Sequence, residues 1–185
     1  MLIVSQNIAT NSNFTTSDKL ISKGIYMNIE KLLLESYRVL FESEDNADLI
    51  ELLNEDIRGL YKAVVQYNRH AAMITGPEYQ GYVEDLKNHA IDDMAQAVEL
   101  CDKVVYYGGK PAVTVPEVDV AESAKAMIKL DEQLQSGNVE TYKSRVEFCR
   151  ENNYPAMEAF YMELVKHEEE HHNTTQNYLN KKIPA

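Results

Sequence analysis

Residues 108–118 read GGKPAVTVPEV, and what this stretch forbids decides the fold. Two glycines and two prolines keep it from being helical through its middle, because proline lacks the amide proton and its ring clashes with the preceding turn. Any strand pattern is confined to Val113 through Val115. At about eleven residues it is longer than a tight helix–helix turn. The segment therefore predicts a connection able to cross from one end of a helical bundle to the other.

Working outward, Gly108-Gly109 closes a helix expected from about Glu78 to Tyr107, as glycine does just past a helix end. On one face of that helix lie Tyr79, Val83, Leu86, Ala90, Asp93, Ala97, Leu100 and Val104. Thr75-Gly76-Pro77 separates it from an earlier helix, expected from about Ala47 to Ile74, whose stripe is Leu53, Ile57, Leu60, Val64, Tyr67 and Ala71. Beyond the connection, a third helix is expected from about Asp119 to Asn152, with a weak point at Ser136-Gly137-Asn138. Asn152-Asn153-Tyr154-Pro155 ends it, and a fourth runs from about Ala156 to Tyr178. Four helices joined by two short turns and one longer central connection describe an all-α four-helix bundle. No strong strand run, internal repeat or low-complexity tract competes with that reading.

The expected organisation is an N-terminal arm over 1–26, a short amphipathic helix over 27–44, the bundle over 45–180 and a tail over 181–185. The arm is rich in Asn, Ser and Thr without a sustained period. In the short helix, Ile29, Leu32, Leu33, Tyr37, Leu40 and Phe41 recur at helical spacing, so its apolar face calls for a partner in the bundle or in another subunit.

Composition narrows the function. Thirty acidic residues against 18 basic ones give a net charge of -12, which repels phosphates and argues against a nucleic-acid partner. No apolar run approaches the ~18 to 20 residues needed to span a membrane. The start, MLIVSQNIATNSNF, has no basic region or long apolar stretch and makes a poor secretory signal, so a cytoplasmic location is the expectation. Cys101 and Cys149 form no Cys-x-x-Cys pair and read as small core residues.

The chemistry enters with Glu-x-x-His pairs, since residues three apart share a helix face and can reach one ion together. The stretch LIELLNEDIRGLYKAVVQYNRHAAMITGPEY (49–79) resembles the first helix of bacterioferritin-like and rubrerythrin-like proteins. DLKNHAIDDMAQAVELCDKVVYYGGKPAVTVPEV (85–118) resembles their second helix and crossover, and ELVKHEEEHHNTTQNYL (163–179) their fourth helix. The resemblance covers roughly residues 47–180 and implies a ferritin-like four-helix bundle with a metal centre among its helices.

Carried over position by position, that resemblance makes Glu168 and His171 the fourth-helix Glu-x-x-His. It turns the second-helix pair into Asp93 and Gln96, puts Leu60 where the first helix carries a Glu, and puts Gln135 at the third-helix Glu, with Glu132 close by. Two of six expected ligands are intact, one is a shortened carboxylate, two are amides and one is aliphatic. A di-iron centre needs several carboxylates to offset two cations, so this set implies an incomplete di-iron site. Asp93, Glu168 and His171 could hold one iron or other divalent ion, with Gln96 or Gln135 completing it, in iron-handling or oxidase-like chemistry. Alternatively Glu168 and His171 are polar residues hydrogen-bonded to Gln96, Gln135 and Tyr67, in a metal-free bundle that is structural or binds a protein partner. Met94 falls where bacterioferritins place a haem-ligating Met at a two-fold interface, which leaves a haem-binding dimer as a third reading.

Among the remaining histidines, His70 reads as a satisfied helix residue and His89 shares the face of Asp93. His167 and His172 read as a solvated face. Bacterioferritin-like cages rely on a short fifth helix, and about seven residues follow Tyr178, so a homodimer is the expected unit.

Overall fold

The structure is a computed structural model that describes residues 46–180, together with Ile29, Lys31 and Leu32, which are helical. The arm over 1–26, the rest of the short helix expected over 27–44 and the tail over 181–185 lie outside the described residues. The bundle comprises α1 (Ala47–Met73), α2 (Gln80–Tyr106), α3 (Ala124–Glu151) and α4 (Pro155–Asn180), with a single 3-10 turn at Pro77–Tyr79 before α2. Among the described residues there is no strand.

α1 packs along α2 and α3 along α4, and the two hairpins meet chiefly where α1 faces α3. One apolar cluster joins the start of α1 (Leu49, Leu53) to the ends of α2 and α3 (Val104, Cys149) and the start of α4 (Met157). A second joins the end of α1 (Ala71, Ile74) to the starts of α2 and α3 (Tyr82, Met127). α2 and α3 therefore run in the same direction, opposite to α1. That arrangement requires the long connection, because a short turn can only reverse the chain.

The crossover has no regular structure and lies along α1. The Asn54 amide donates to the Lys110 carbonyl (3.1 Å), and its oxygen accepts from the Ala112 amide (2.7 Å). Lys62 pairs with Asp119 at 2.8 Å. At Gly109 a Cβ would come within 2.6 Å of Ile50 Cγ2, so only glycine lets the chain leave α2 this close to α1.

Two expectations about α3 change. It begins at Ala124 and not near Asp119, because the Ser123 hydroxyl caps it by accepting from the Ala126 amide at 3.3 Å. It also runs unbroken through Ser136-Gly137-Asn138. Glycine costs a helix about 1 kcal/mol relative to alanine, less than packing against α4 returns.

A buried ion pair ties three helices together. Arg145 of α3 donates to both oxygens of Asp56 of α1 at 3.0 to 3.2 Å, and the Tyr161 hydroxyl of α4 donates to Asp56 at 2.6 Å. Burial pushes the Asp56 carboxyl upward even though Arg145 and Tyr161 pull it down. The charge is held because its hydrogen bonds are complete.

Candidate metal centre

Midway along the bundle the apolar clusters give way to buried polar residues. On α2 the core runs through Leu86 and Ala90 and resumes at Ala97 and Leu100, with Asp93 between. On α4 the stripe Met157, Tyr161, Leu164 continues into Glu168 and His171. Helical periodicity thus turns all three inward. One ligand atom from each lies within 4.8 Å of the others, and all three residues are buried. Both oxygens of Asp93, Oε2 of Glu168 and Nδ1 of His171 have no hydrogen-bond partner in the protein.

Burial sets the protonation of this group. It pushes the Glu168 carboxyl up to about 7, against the pull of the Asn138 amide, which donates to Oε1 at 3.0 Å. Asp93 rises well above the usual carboxylate range through burial first, then through the charges of Glu168 and Asp92. His171 falls to about 3, again through burial first, then through His89 and His167. At neutral pH the imidazole is therefore uncharged and carries a lone pair, while the two carboxyls need either protons or a cation beside them.

The neighbours fix the ring. His89 stacks on His171 with centroids 3.6 Å apart at 19°, and Tyr67 meets His89 edge-on at 6.1 Å. The arrangement in which Gln96, Gln135 and Tyr67 satisfy Glu168 and His171 is not the one found. Gln96 pairs with Nδ1 of His167 at 3.0 Å, Gln135 with Nδ1 of His89 at 3.4 Å, and the Tyr67 hydroxyl has no partner in the protein. Of the polar side chains around Glu168, it is Asn138 that bonds it, one turn beyond Gln135, the expected third-helix partner. Gln135 is fully buried and Glu132 is not, so Gln135 is the inward residue. Leu60 is fully buried within the apolar core. Met94 lies on the outer side of α2, 42% exposed.

A second buried polar group was missed. Asp131 of α3 accepts from Gln66 Nε2 (2.9 Å) and the Tyr82 hydroxyl (2.9 Å), and pairs with Nδ1 of His70 (2.7 Å). His70 is thus held within the bundle by its Nδ1 alone, its buried Nε2 having no partner in the protein. The available signal was spacing: Gln66 and His70 are one turn apart, as are Asp131 and Gln135. His167 and His172 also depart from expectation. His172 meets Glu132 at 2.9 Å and His167 meets Gln96, because α4 is flanked by α3 on one side and α2 on the other.

Residues 50–183 match the family model of the ferritin-like domain. A bacterioferritin of Mycobacterium tuberculosis, BfrA, is 21% identical over 129 residues, covering 69% of this chain and 81% of that relative. Among solved structures, a ferritin-like, di-iron-carboxylate protein of Bacillus anthracis superposes with a TM-score of 0.70 at 27% identity, over 74% of this chain and 98% of that one. A Rhodobacter capsulatus bacterioferritin, described with a metal-free dinuclear site and a haem iron, superposes at 0.64 with 17% identity, over 72% and 84% of the two chains.

Proposed function

The chain belongs to the ferritin-like domain family, and from that premise we propose that it handles iron, or a similar divalent ion, one ion at a time in an incomplete di-iron site. The observation that carries this is the meeting of Asp93, Glu168 and His171, buried, with donor atoms within 4.8 Å and without other partners. Two carboxylates match the charge of one divalent cation, and a neutral imidazole adds a nitrogen donor. A second ion would lack neutralisation: Leu60 offers no ligand atom, the free amide oxygens of Gln96 and Gln135 carry no charge, and Asp131 is committed to His70, Gln66 and Tyr82.

An iron ion held there would supply one-electron redox chemistry. The residues' own part is plainer. Asn138 holds one oxygen of Glu168 and leaves the other free, His89 keeps the His171 ring in plane, and the apolar clusters on either side limit water. Metal analysis after dialysis tests the reading: close to one ion per chain, lost in both Glu168→Ala and Asp93→Ala. An iron–iron scattering path in the X-ray absorption spectrum would overturn it.

The second reading is a metal-free bundle that acts by assembly or by binding a protein partner. Leu60 favours it, and so do carboxyls that burial drives towards the neutral form. No metal in wild type or variants would support it. The outer face of α2 leaves Ile91, Met94, Val98 and Val105 exposed at helical spacing, which supports a homodimer across that face, with Met94 placed at it for a haem shared by two copies. Val98→Glu should then convert the sedimenting species to monomer, and a haem-reconstituted sample should lose its axial-methionine spectrum in Met94→Ala. Among the described residues no helix is long and apolar enough to cross a membrane; with the acidic composition this fits action in the cytoplasm.

A further inference from the structure

His171 presents its two ring nitrogens to two different places. Nδ1 faces Glu168, whose Oε2 is 4.0 Å away. Nε2 faces outward, 4.0 Å from Oδ2 of Asp92, and Nε2 of His167 lies 3.9 Å from that same oxygen. His167 and His171 are one turn apart on α4, the spacing at which two imidazoles on one helix face can grip a single ion. Asp92 reaches them from α2, and the donor atoms of the three lie within 4.8 Å of one another.

We propose that Asp92, His167 and His171 form a second, outward-facing site for a first-row divalent cation at the mouth of the inner one. It goes beyond the inner-site reading and does not need that site filled. Two imidazoles and one carboxylate are a donor set that suits zinc, cobalt or ferrous iron, with water completing the shell. The side chains of Asp92 and His167 are 48% and 36% exposed, so an ion can arrive from solvent. Gln96 holds Nδ1 of His167 at 3.0 Å. The atom that faces Nδ1 is the amide nitrogen of Gln96, and a flip of that amide, whose oxygen has no other partner, would let the oxygen accept from Nδ1–H and leave Nε2 of His167 with the lone pair that faces Asp92. Beside His167, a cavity of about 390 Å³ is lined by Glu163 and Glu170 with Lys166, and by Glu99, which pairs with Lys103 at 3.2 Å, so the charge at the opening is on balance negative and favours a cation. Since a neutral imidazole has one lone pair, His171 serves one site at a time, so an ion in either place weakens the other.

Calorimetric titration with Co²⁺ in Glu168→Gln protein, which lacks one of the two inner carboxylates, favours the outer site. One equivalent should bind, with paramagnetic broadening of the His167 ring signals. Adding His167→Ala or Asp92→Asn should weaken binding at least about tenfold, the loss that even an outer-shell partner of a metal ligand commonly causes. His172→Ala should leave it unchanged. Equal loss in His172→Ala, or no loss in His167→Ala, would assign the ion to the exposed HEEEHH run and overturn the proposal. No Co²⁺ bound by Glu168→Gln also overturns it, while one tight ion in wild type would still support the inner site. Conversely, wild type binding a single ion that is lost in His167→Ala and kept in Glu168→Gln would sustain the outer site and defeat the inner one.

Discussion

Replacing Glu168 by glutamine keeps the shape of the side chain and its bond to Asn138 while removing its ionisation. In the folded, metal-free protein the carboxyl titrates near 7, against 4.5 for an ordinary glutamate. Between those two values the native state binds more protons than the unfolded chain, so stability falls as pH rises through that window. A difference of this size, at about 1.4 kcal/mol per tenfold, amounts to about 3 kcal/mol lost by pH 8. The glutamine variant escapes that loss. Urea denaturation in EDTA should therefore find Glu168→Gln more stable than wild type by about 3 kcal/mol at pH 8 and by about 1 kcal/mol at pH 5, where the unfolded glutamate is already mostly ionised. With excess Co²⁺ at pH 8 in a His167→Ala background, which lacks the outer site, the order should reverse, since the ion then binds only folded protein that keeps Glu168. A variant less stable than wild type at pH 8 in EDTA, or a gap that does not change between the two pH values, would refute the reasoning.

Leu60→Glu supplies the carboxylate missing from α1. Metal-free stability should fall on the order of 3–5 kcal/mol, and bound metal, counted by mass spectrometry, should rise from one ion towards two. Arg145→Ala strands the buried Asp56 and should cost about 3 kcal/mol in urea denaturation, much of it recovered when Asp56→Asn is added. Burial, more than the nearby Glu158, pushes the Cys149 thiol up to about 11, which leaves only about one in a thousand as thiolate at pH 8. Ellman's reagent should therefore titrate Cys101 alone in the folded protein and both thiols in denaturant.

The four helices were legible because each carries an apolar stripe at its own period, and the crossover because Gly-Gly and two prolines exclude helix. The start of α3 was not, since its extension towards Asp119 looks helical until Ser123 is known to cap it. Asp93, Glu168 and His171 were legible through the family resemblance, and the stripes they continue told only that they face inward. The partners of these groups were harder to see. Asn138, Gln96 and Gln135 are amides with two faces, and which neighbour each satisfies is settled by side-chain direction across helices. Asp131 escaped notice for a similar reason: on a largely polar helix, one more carboxylate does not announce that His70, Gln66 and Tyr82 converge on it. The Asp56–Arg145 pair joins positions far apart in the chain, which periodicity within one helix does not reveal.

The central crossover also has a consequence for assembly. It divides the chain into two helical hairpins, each closed by a short turn and able to form from neighbouring sequence. Asp93 belongs to the first hairpin, while Glu168 and His171 belong to the second. Neither half can grip an ion until the two have docked, so a captured cation acts as a staple across their seam. Metal binding would then report the last step of maturation and lock it.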